Sequence, residues 1–129
     1  MIRTGHEKLG NQLLLLPAKG STVLTENTIV AINEDGYAET ATAAENLLVV
    51  GRVEKYCDNH AGADGEVMVS AKRGTFVWEN DGTIEGTDIM KKCYLKDDVT
   101  VTITPAGSSV AGTILAVEAD GVTVDMTLV

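Results

Sequence analysis

The segment Leu47-Leu48-Val49-Val50-Gly51-Arg52-Val53 is the clearest buried strand in this sequence. A continuous apolar run of this kind is typical of a strand that is covered on both faces or forms the wall of a barrel. β-Branched residues are abundant along the whole chain, which contains fifteen Val, fifteen Thr and seven Ile. Because β-branched residues suit a pleated surface and lose rotamer freedom in helices, the sequence predicts an all-β protein.

Glycine-containing turns divide the chain into short strands. Asn33–Gly36 and Asp120-Gly121 both lie between apolar segments and predict hairpins, because glycine tolerates the positive φ of a tight turn. Residues 99–103 alternate strictly between apolar and polar and predict a strand with one buried face. One helical turn is predicted over residues 87–92, and a loop or a second turn over residues 41–46.

Three isolated glycines mark places where the predicted strands bend. Gly74 interrupts the strand pattern of residues 66–78 as a bulge or corner does, after a polar loop predicted over residues 58–65. Gly51 and Gly112 each lie inside an apolar strand that precedes an acidic turn. We interpret these two positions as similar barrel corners rather than as traces of an ancestral repeat.

The chain of 129 residues therefore predicts one β domain. We expect a small barrel or sandwich of about eight to ten short strands with one or two short helical turns. This domain is expected over residues 12–129, and residues 1–11, which show no apolar period, are expected to form a flexible N-terminal arm.

The charge balance disfavours several kinds of partner. Ten Lys and Arg face nineteen Asp and Glu, which gives a net charge of −9 and a pI near 4.5. A nucleic-acid partner is not expected, because phosphate contacts require a surplus of cations. A membrane partner is not expected either, because anionic lipid repels an acidic surface and the chain has no run of eighteen apolar residues.

The residues that could carry chemistry form no convincing catalytic or metal-binding set. Cys57 and His60 could meet as a thiolate–imidazolium pair, but no third partner or oxyanion loop accompanies them. Asp58 and Asp64 could contribute to a calcium site, but their spacing lacks the EF-hand pattern and suits turn chemistry better. Cys57 and Cys93 favour free buried thiols, with a single disulfide left open. We predict a protein that is not an enzyme and has no cofactor or metal.

Several segments together resemble the small head decoration (capsid cement) proteins of tailed phages and prophages. The resemblance runs in order through roughly residues 20–128, and it departs after Asn80, where the family often carries a longer insertion. The segments that carry it are Asn27–Ala38, Val50–Glu54, Asp58–Gly65, Val69–Phe76, Asp88–Tyr94, Asp97–Val101, Ala111–Ile114 and Asp120–Val122.

The resemblance implies a structural protein that binds the outside of an assembled phage head and reinforces it. Its expected partners are the major capsid protein and further copies of itself, with a trimer favoured. Its expected location is the capsid exterior of the virion, and the bacterial cytoplasm during assembly. The alternative hypothesis is a β-barrel assembly or binding module of a phage tail, a baseplate or a secretion apparatus.

Seven residues are candidate contacts with the capsid or with another subunit. The Leu13–Leu16 run could anchor an arm that adds a strand to a neighbouring chain, or it could be an ordinary core strand. The remaining candidates could equally be charges on a β face or core aromatics. The candidates are Leu13, Leu14, Leu15, Arg52, Arg73, Phe76 and Trp78.

Overall fold

A computed structural model describes residues 13–127, so the arm predicted over residues 1–11 lies outside the described residues. Within that range the all-β prediction is confirmed, with twelve strands rather than eight to ten and a single 3-10 turn at Gly86–Asp88. The strands are β1 (Leu13–Pro17), β2 (Thr22–Leu24), β3 (Ile29–Ile32), β4 (Ala38–Thr40), β5 (Leu48–Val53), β6 (Cys57–Asn59), β7 (Met68–Lys72), β8 (Thr75–Asn80), β9 (Lys92–Leu95), β10 (Thr100–Thr102), β11 (Val110–Glu118) and β12 (Gly121–Asp125).

The first seven strands form what we call the sheet lobe, residues 13–72. Five of them make an antiparallel sheet in the order β1-β7-β5-β3-β4, and β2 pairs with β6 in a separate ribbon. The two edges of the five-stranded sheet approach each other at one end, where Ala18 bridges Ala38. A core of aliphatic side chains fills the curved sheet beneath the ribbon, with Leu24, Val30 and Val53 fully buried.

The last five strands form the barrel lobe, residues 75–127. They close in the order β10-β8-β12-β11-β9, and the antiparallel pairing of β9 with β10 completes the barrel. Every pair is antiparallel except β8 with β10. The interior contains Ile114, Val122 and Val124, all at 0% exposure. The Asp120-Gly121 hairpin prediction is confirmed, since β11 and β12 are joined through this turn.

The chain passes from one lobe to the other at Arg73-Gly74. Gly74 is thus a corner, as the sequence predicts, but one that separates two sheets. Gly51 and Gly112 also lie beside register shifts, one in each lobe. An added Cβ would overlap the carbonyl oxygen of Lys72 at Gly51 and that of Asp125 at Gly112, so both corners require glycine for close strand approach.

The prediction of a polar loop over residues 58–65 is partly wrong, because β6 occupies the first two positions of this range. The reason is Asn59, which is 2% exposed and whose Nδ2 donates to the carbonyl oxygens of Ala18, Lys19 and Ala63 at 3.3, 3.1 and 3.0 Å, with one of its two hydrogens shared between two acceptors. A side chain that the sequence assigns to solvent is therefore buried as a hydrogen-bond donor to three backbone groups.

Candidate binding surfaces

Strand β1 presents two faces of different character. Leu14 and Leu16 point towards the core of the sheet lobe, whereas Leu13 and Leu15 are 53% and 70% exposed. This alternation follows from the period of two in a strand. The structure therefore places the leucine run as an edge strand of its own sheet, and leaves two of the four leucines as a surface feature.

The exposed face of β1 continues onto its neighbours. Leu13 lies opposite Lys72 of β7, and Lys72 lies opposite Arg52 of β5, so the three side chains share one face of the sheet. Arg52 is paired with Glu54 at 2.8 Å, and its guanidinium carbon lies 4.7 Å from the centre of the Phe76 ring. The barrel lobe thus contacts this face at Arg52 and leaves it uncovered at Leu13.

The aromatic candidates belong to the contact between the lobes and to the barrel core. Phe76 is half-buried, and its ring centre lies 6.0 Å from that of Trp78. Trp78 is 6% exposed, and its Nε1 donates a hydrogen bond to the sulfur of Met126 at 3.0 Å. Trp78 offers no accessible ring to a partner, so we assign it to the barrel core and leave it out of the contact surface.

The two edges of the five-stranded sheet differ in how they are protected. Strand β4 has three residues and carries Glu39, which pairs with Lys19 at 3.8 Å. Strand β1 has five residues, four of them leucine, and pairs only with β7 within residues 13–127. Short length and charge are the usual protections of an edge strand against pairing with another chain. Strand β4 has both, and β1 has neither.

A cleft of about 780 Å³ lies between the two lobes. Its sheet-lobe wall includes Leu14, Leu48 and Val50, and its barrel-lobe wall is formed mainly by residues 108–113. Ser109 joins the walls, because it accepts a hydrogen bond from the amide of Leu47 at 3.0 Å and donates one to the carbonyl of Ala44 at 2.6 Å. These two hydrogen bonds connect the walls, so the cleft is part of the contact between the lobes.

Arg73 is the candidate residue whose surroundings are the most unusual. It lines the cleft and forms no salt bridge with any carboxylate of the described residues. Its Nε is buried and has no hydrogen-bond partner there. A buried polar group without a hydrogen-bond partner carries a cost in free energy.

Cys57 and His60 do not form the pair that catalysis would require. The Cys57 thiol is directed at the carbonyl of Met68, at 3.8 Å, and burial raises its pKa. The His60 ring is exposed and contacts Asp58 at 2.6 Å. Hydrogen bonds from the backbone amide and the ring of His60 lower the pKa of Asp58. Both cysteines are free and buried, and burial raises the pKa of Cys93 to about 12.

Three features of this surface were missed by sequence reasoning. Leu48 is 70% exposed at the cleft, although it belongs to the run that predicts a buried strand. The cleft itself depends on where the two lobes meet, which no local pattern records. The unpartnered Nε of Arg73 likewise has no signal in the sequence, because any arginine at the end of a strand looks the same.

Comparisons with known proteins supply no relative: no family model, no curated protein and no solved structure matches this chain. Within residues 13–127, no helix has the length and apolar character needed to cross a membrane. The same residues contain no group of three or more His, Cys, Asp or Glu side chains placed to hold a metal ion.

Proposed function

We propose that this protein is a non-enzymatic structural protein that binds the outside of an assembled phage or prophage head and stabilises it. The observation that carries the proposal is the leucine-rich edge strand β1, with Leu13 and Leu15 exposed and no strand on its outer side within the described residues. The resemblance in sequence supplies the kind of partner, and the edge strand supplies a surface for it.

The edge strand suits assembly for two physical reasons. Its backbone can pair with an extended segment of a capsid subunit, and its leucines can be removed from water in the same contact. Lys72 lies on the same face and forms no salt bridge within the described residues. In a chain with a net charge of −9, this face therefore offers a cation to an acidic group of a capsid subunit.

Stabilisation of the head then follows from mass action. A ligand that binds only the assembled lattice stabilises it by RT ln(1 + [L]/Kd), which is about 2.7 kcal/mol per site at a hundred times Kd. A head offers many equivalent sites, and subunits that bind as oligomers gain avidity from them. The proposal includes self-association, with a trimer favoured and the capsid exterior as the location.

The test uses expanded heads assembled from the major capsid protein of the phage or prophage that carries the gene. The wild-type protein is expected to sediment with these heads and to raise their melting temperature. Leu15→Ser is expected to weaken binding by about tenfold or more, as loss of a central apolar contact does. Val77→Ser, at a 49% exposed valine of the barrel lobe, is the matched control and is expected to bind normally.

Absence of head binding by the wild-type protein would contradict the proposal and would favour the alternative of a tail, baseplate or secretion module. Binding that Val77→Ser weakens as much as Leu15→Ser would show that the contact is not at β1. Circular dichroism of both variants confirms that the comparison is made between folded proteins.

A further inference from the structure

We propose that the cleft between the lobes is a docking site for an extended segment of another protein chain that has aliphatic side chains and one carboxylate. This inference goes beyond head binding and does not depend on it, because it concerns a different surface from the outer face of β1. Three observations lead to it: an unpaired stretch of strand, apolar walls and a cation without a counterion.

The unpaired stretch is Leu48–Val50 of β5. Strand β7 pairs with β5 only at Arg52 and Val53. The chain then turns away at Arg73-Gly74 into the barrel lobe. On its β7 side, Leu48–Val50 therefore has no strand partner among residues 13–127. Backbone groups in such a position can pair with an incoming extended segment, which is a common mode of peptide recognition.

The walls of the cleft fit the side chains of such a segment. Leu48 is 70% exposed on one wall and Val110 is 45% exposed on the other. An extended segment directs alternate side chains to opposite sides, so it could place apolar groups against both walls at once. The volume of about 780 Å³ is within the range of about 300–1,000 Å³ that is typical of ligand sites.

Arg73 is the reason to expect a carboxylate in the docked segment. The other charged groups of the barrel-lobe wall are already engaged: the Lys92 ammonium donates to the Thr113 hydroxyl at 3.1 Å, and Asp125 accepts from the hydroxyl and the amide of Thr127 at 2.6 and 3.0 Å. Glu45 lies at the cleft but forms no salt bridge with Arg73. Arg73 is thus the cleft cation without an acceptor in the described residues, and a carboxylate bound in the cleft would pair with its guanidinium group.

The test is an NMR titration of the full chain with two peptides, acetyl-Ser-Val-Val-Glu-Val-Val-Ser-amide, which has valines on both faces of the extended chain, and its counterpart with Gln in place of Glu. We expect the Glu peptide to shift resonances of Leu48 and Val110 and to bind about tenfold tighter than the Gln peptide, since a hydrogen-bonded charge pair is lost in the latter. Arg73→Met is expected to bring the two affinities together. Arg52→Met, at an arginine outside the cleft, is expected to preserve the difference.

A second pair of variants keeps the test decisive if Arg73→Met does not fold. Leu48→Ser and Leu15→Ser each remove a leucine that is 70% exposed, one inside the cleft and one outside it. Only Leu48→Ser is expected to weaken the binding of both peptides.

The proposal is overturned by equal affinities for the two peptides, by an unchanged ratio in Arg73→Met, or by no binding at millimolar concentration. It is also overturned if Leu48 shows contacts with residues 1–12 of its own chain before any peptide is added. Resonances of the cleft that shift on dilution of the protein alone would assign the cleft to a second copy, which equally contradicts it. Head binding is measured separately, so none of these results decides the proposed function.

Discussion

The two lobes are built from the same kind of sequence but deal with their strand edges differently. The barrel lobe pairs β9 with β10 and so has a partner on both sides of each of its five strands. The sheet lobe joins its edges only at Ala18 and Ala38 and leaves most of β1 without an outer partner in the described residues. Closure is the way in which a small β protein removes its edges altogether.

Within one small domain, a lobe whose strands are all paired is thus joined to a lobe whose leucine-bearing edge strand has no outer partner in the described residues. All five strands of the barrel lobe are paired on both sides, and its core packs against Ile29 and Ala41 of the sheet lobe. Both lobes expose apolar side chains, but the exposed Leu13 and Leu15 lie on a strand without an outer partner in the described residues. An exposed leucine-rich edge is an aggregation risk unless it is an interface. We therefore expect the barrel lobe to provide mainly stability and the sheet lobe to provide contacts.

The largest expected effect is the loss of core packing in the barrel lobe. Ile114→Ala removes a fully buried side chain and is expected to lower the free energy of unfolding by about 2–5 kcal/mol in urea denaturation. Leu115→Ala, at the adjacent and 39% exposed position, is the control and is expected to change it by about 0.5 kcal/mol.

Leu24→Ala extends the same measurement to the sheet lobe, since Leu24 is also fully buried. If the lobes unfold together, this variant moves the same single transition by a similar amount. Two separate transitions, of which each variant moves one, would contradict the description of the protein as one cooperative domain.

A smaller effect is expected at the end of the sheet lobe where its edges meet. Asn59→Ala removes three hydrogen bonds and leaves the Lys19 carbonyl without a donor, whereas the carbonyls of Ala18 and Ala63 keep the amides of Gly65 and Glu66, so we expect a cost of about 1–3 kcal/mol. His60→Ala, at the next and exposed residue, is expected to be close to neutral. Thermal unfolding of the two variants measures the difference. Equal stability of Asn59→Ala and the wild type would show that Asn59 does not hold this end together.

The reactivity of the two cysteine thiols allows the lobes to be compared in the wild-type protein. Burial raises the pKa of Cys93 to about 12 and raises that of Cys57 as well, so at pH 8 both are protonated and poorly nucleophilic. Cys57 is 5% exposed in strand β6 of the β2–β6 ribbon, whereas Cys93 is at 0% exposure in the barrel. We expect iodoacetamide to modify Cys57 before Cys93, as read by peptide mass spectrometry. The opposite order would contradict the more open character of the sheet lobe.

The smallest expected effect is a dependence of barrel-lobe stability on acid. The pKa of Asp88 is lowered from 3.8 by a hydrogen bond from the Glu85 amide and by Lys91, and that of Asp125 is lowered from 3.8 by the hydroxyl and amide of Thr127. A carboxyl group whose pKa is lower in the folded state than in the unfolded state stabilises the protein at pH values above its unfolded-state pKa. This contribution is lost as the pH falls through the folded-state pKa. We expect the free energy of unfolding to decrease as the pH is lowered below 3.8, and to decrease less steeply in Asp88→Asn than in the wild type. Parallel curves for the two proteins in urea denaturation would contradict this role of Asp88.

Sequence reasoning predicted the local features well, because they depend on neighbouring residues. The Asp120-Gly121 hairpin and the Gly74 corner follow from the conformational freedom of glycine and from apolar runs beside it. The division into two lobes could not be predicted, since it depends on which distant strands pair. The β6 strand was missed because Asn59 is polar, and its burial is explained only by three carbonyls that the fold brings to it.

The candidate surfaces were predicted only in part, for the same reason. The leucine run at Leu13–Leu16 was recognised as a candidate contact, but only the pairing of β1 with β7 shows which leucines face outward. Phe76 and Trp78 were candidates as rare aromatics. The structure places one at the contact between the lobes and the other in the barrel core, where packing explains them.

The most direct test of the central claim, that the sheet lobe carries the contact with the head, is amide hydrogen exchange of the full chain with and without saturating expanded heads. We predict that binding slows exchange along Leu13–Leu16 of β1 and leaves the amides of β11 and β12 unchanged. Slowing confined to β11 and β12, or no slowing at β1 under saturating conditions, would show that the sheet lobe does not carry the contact.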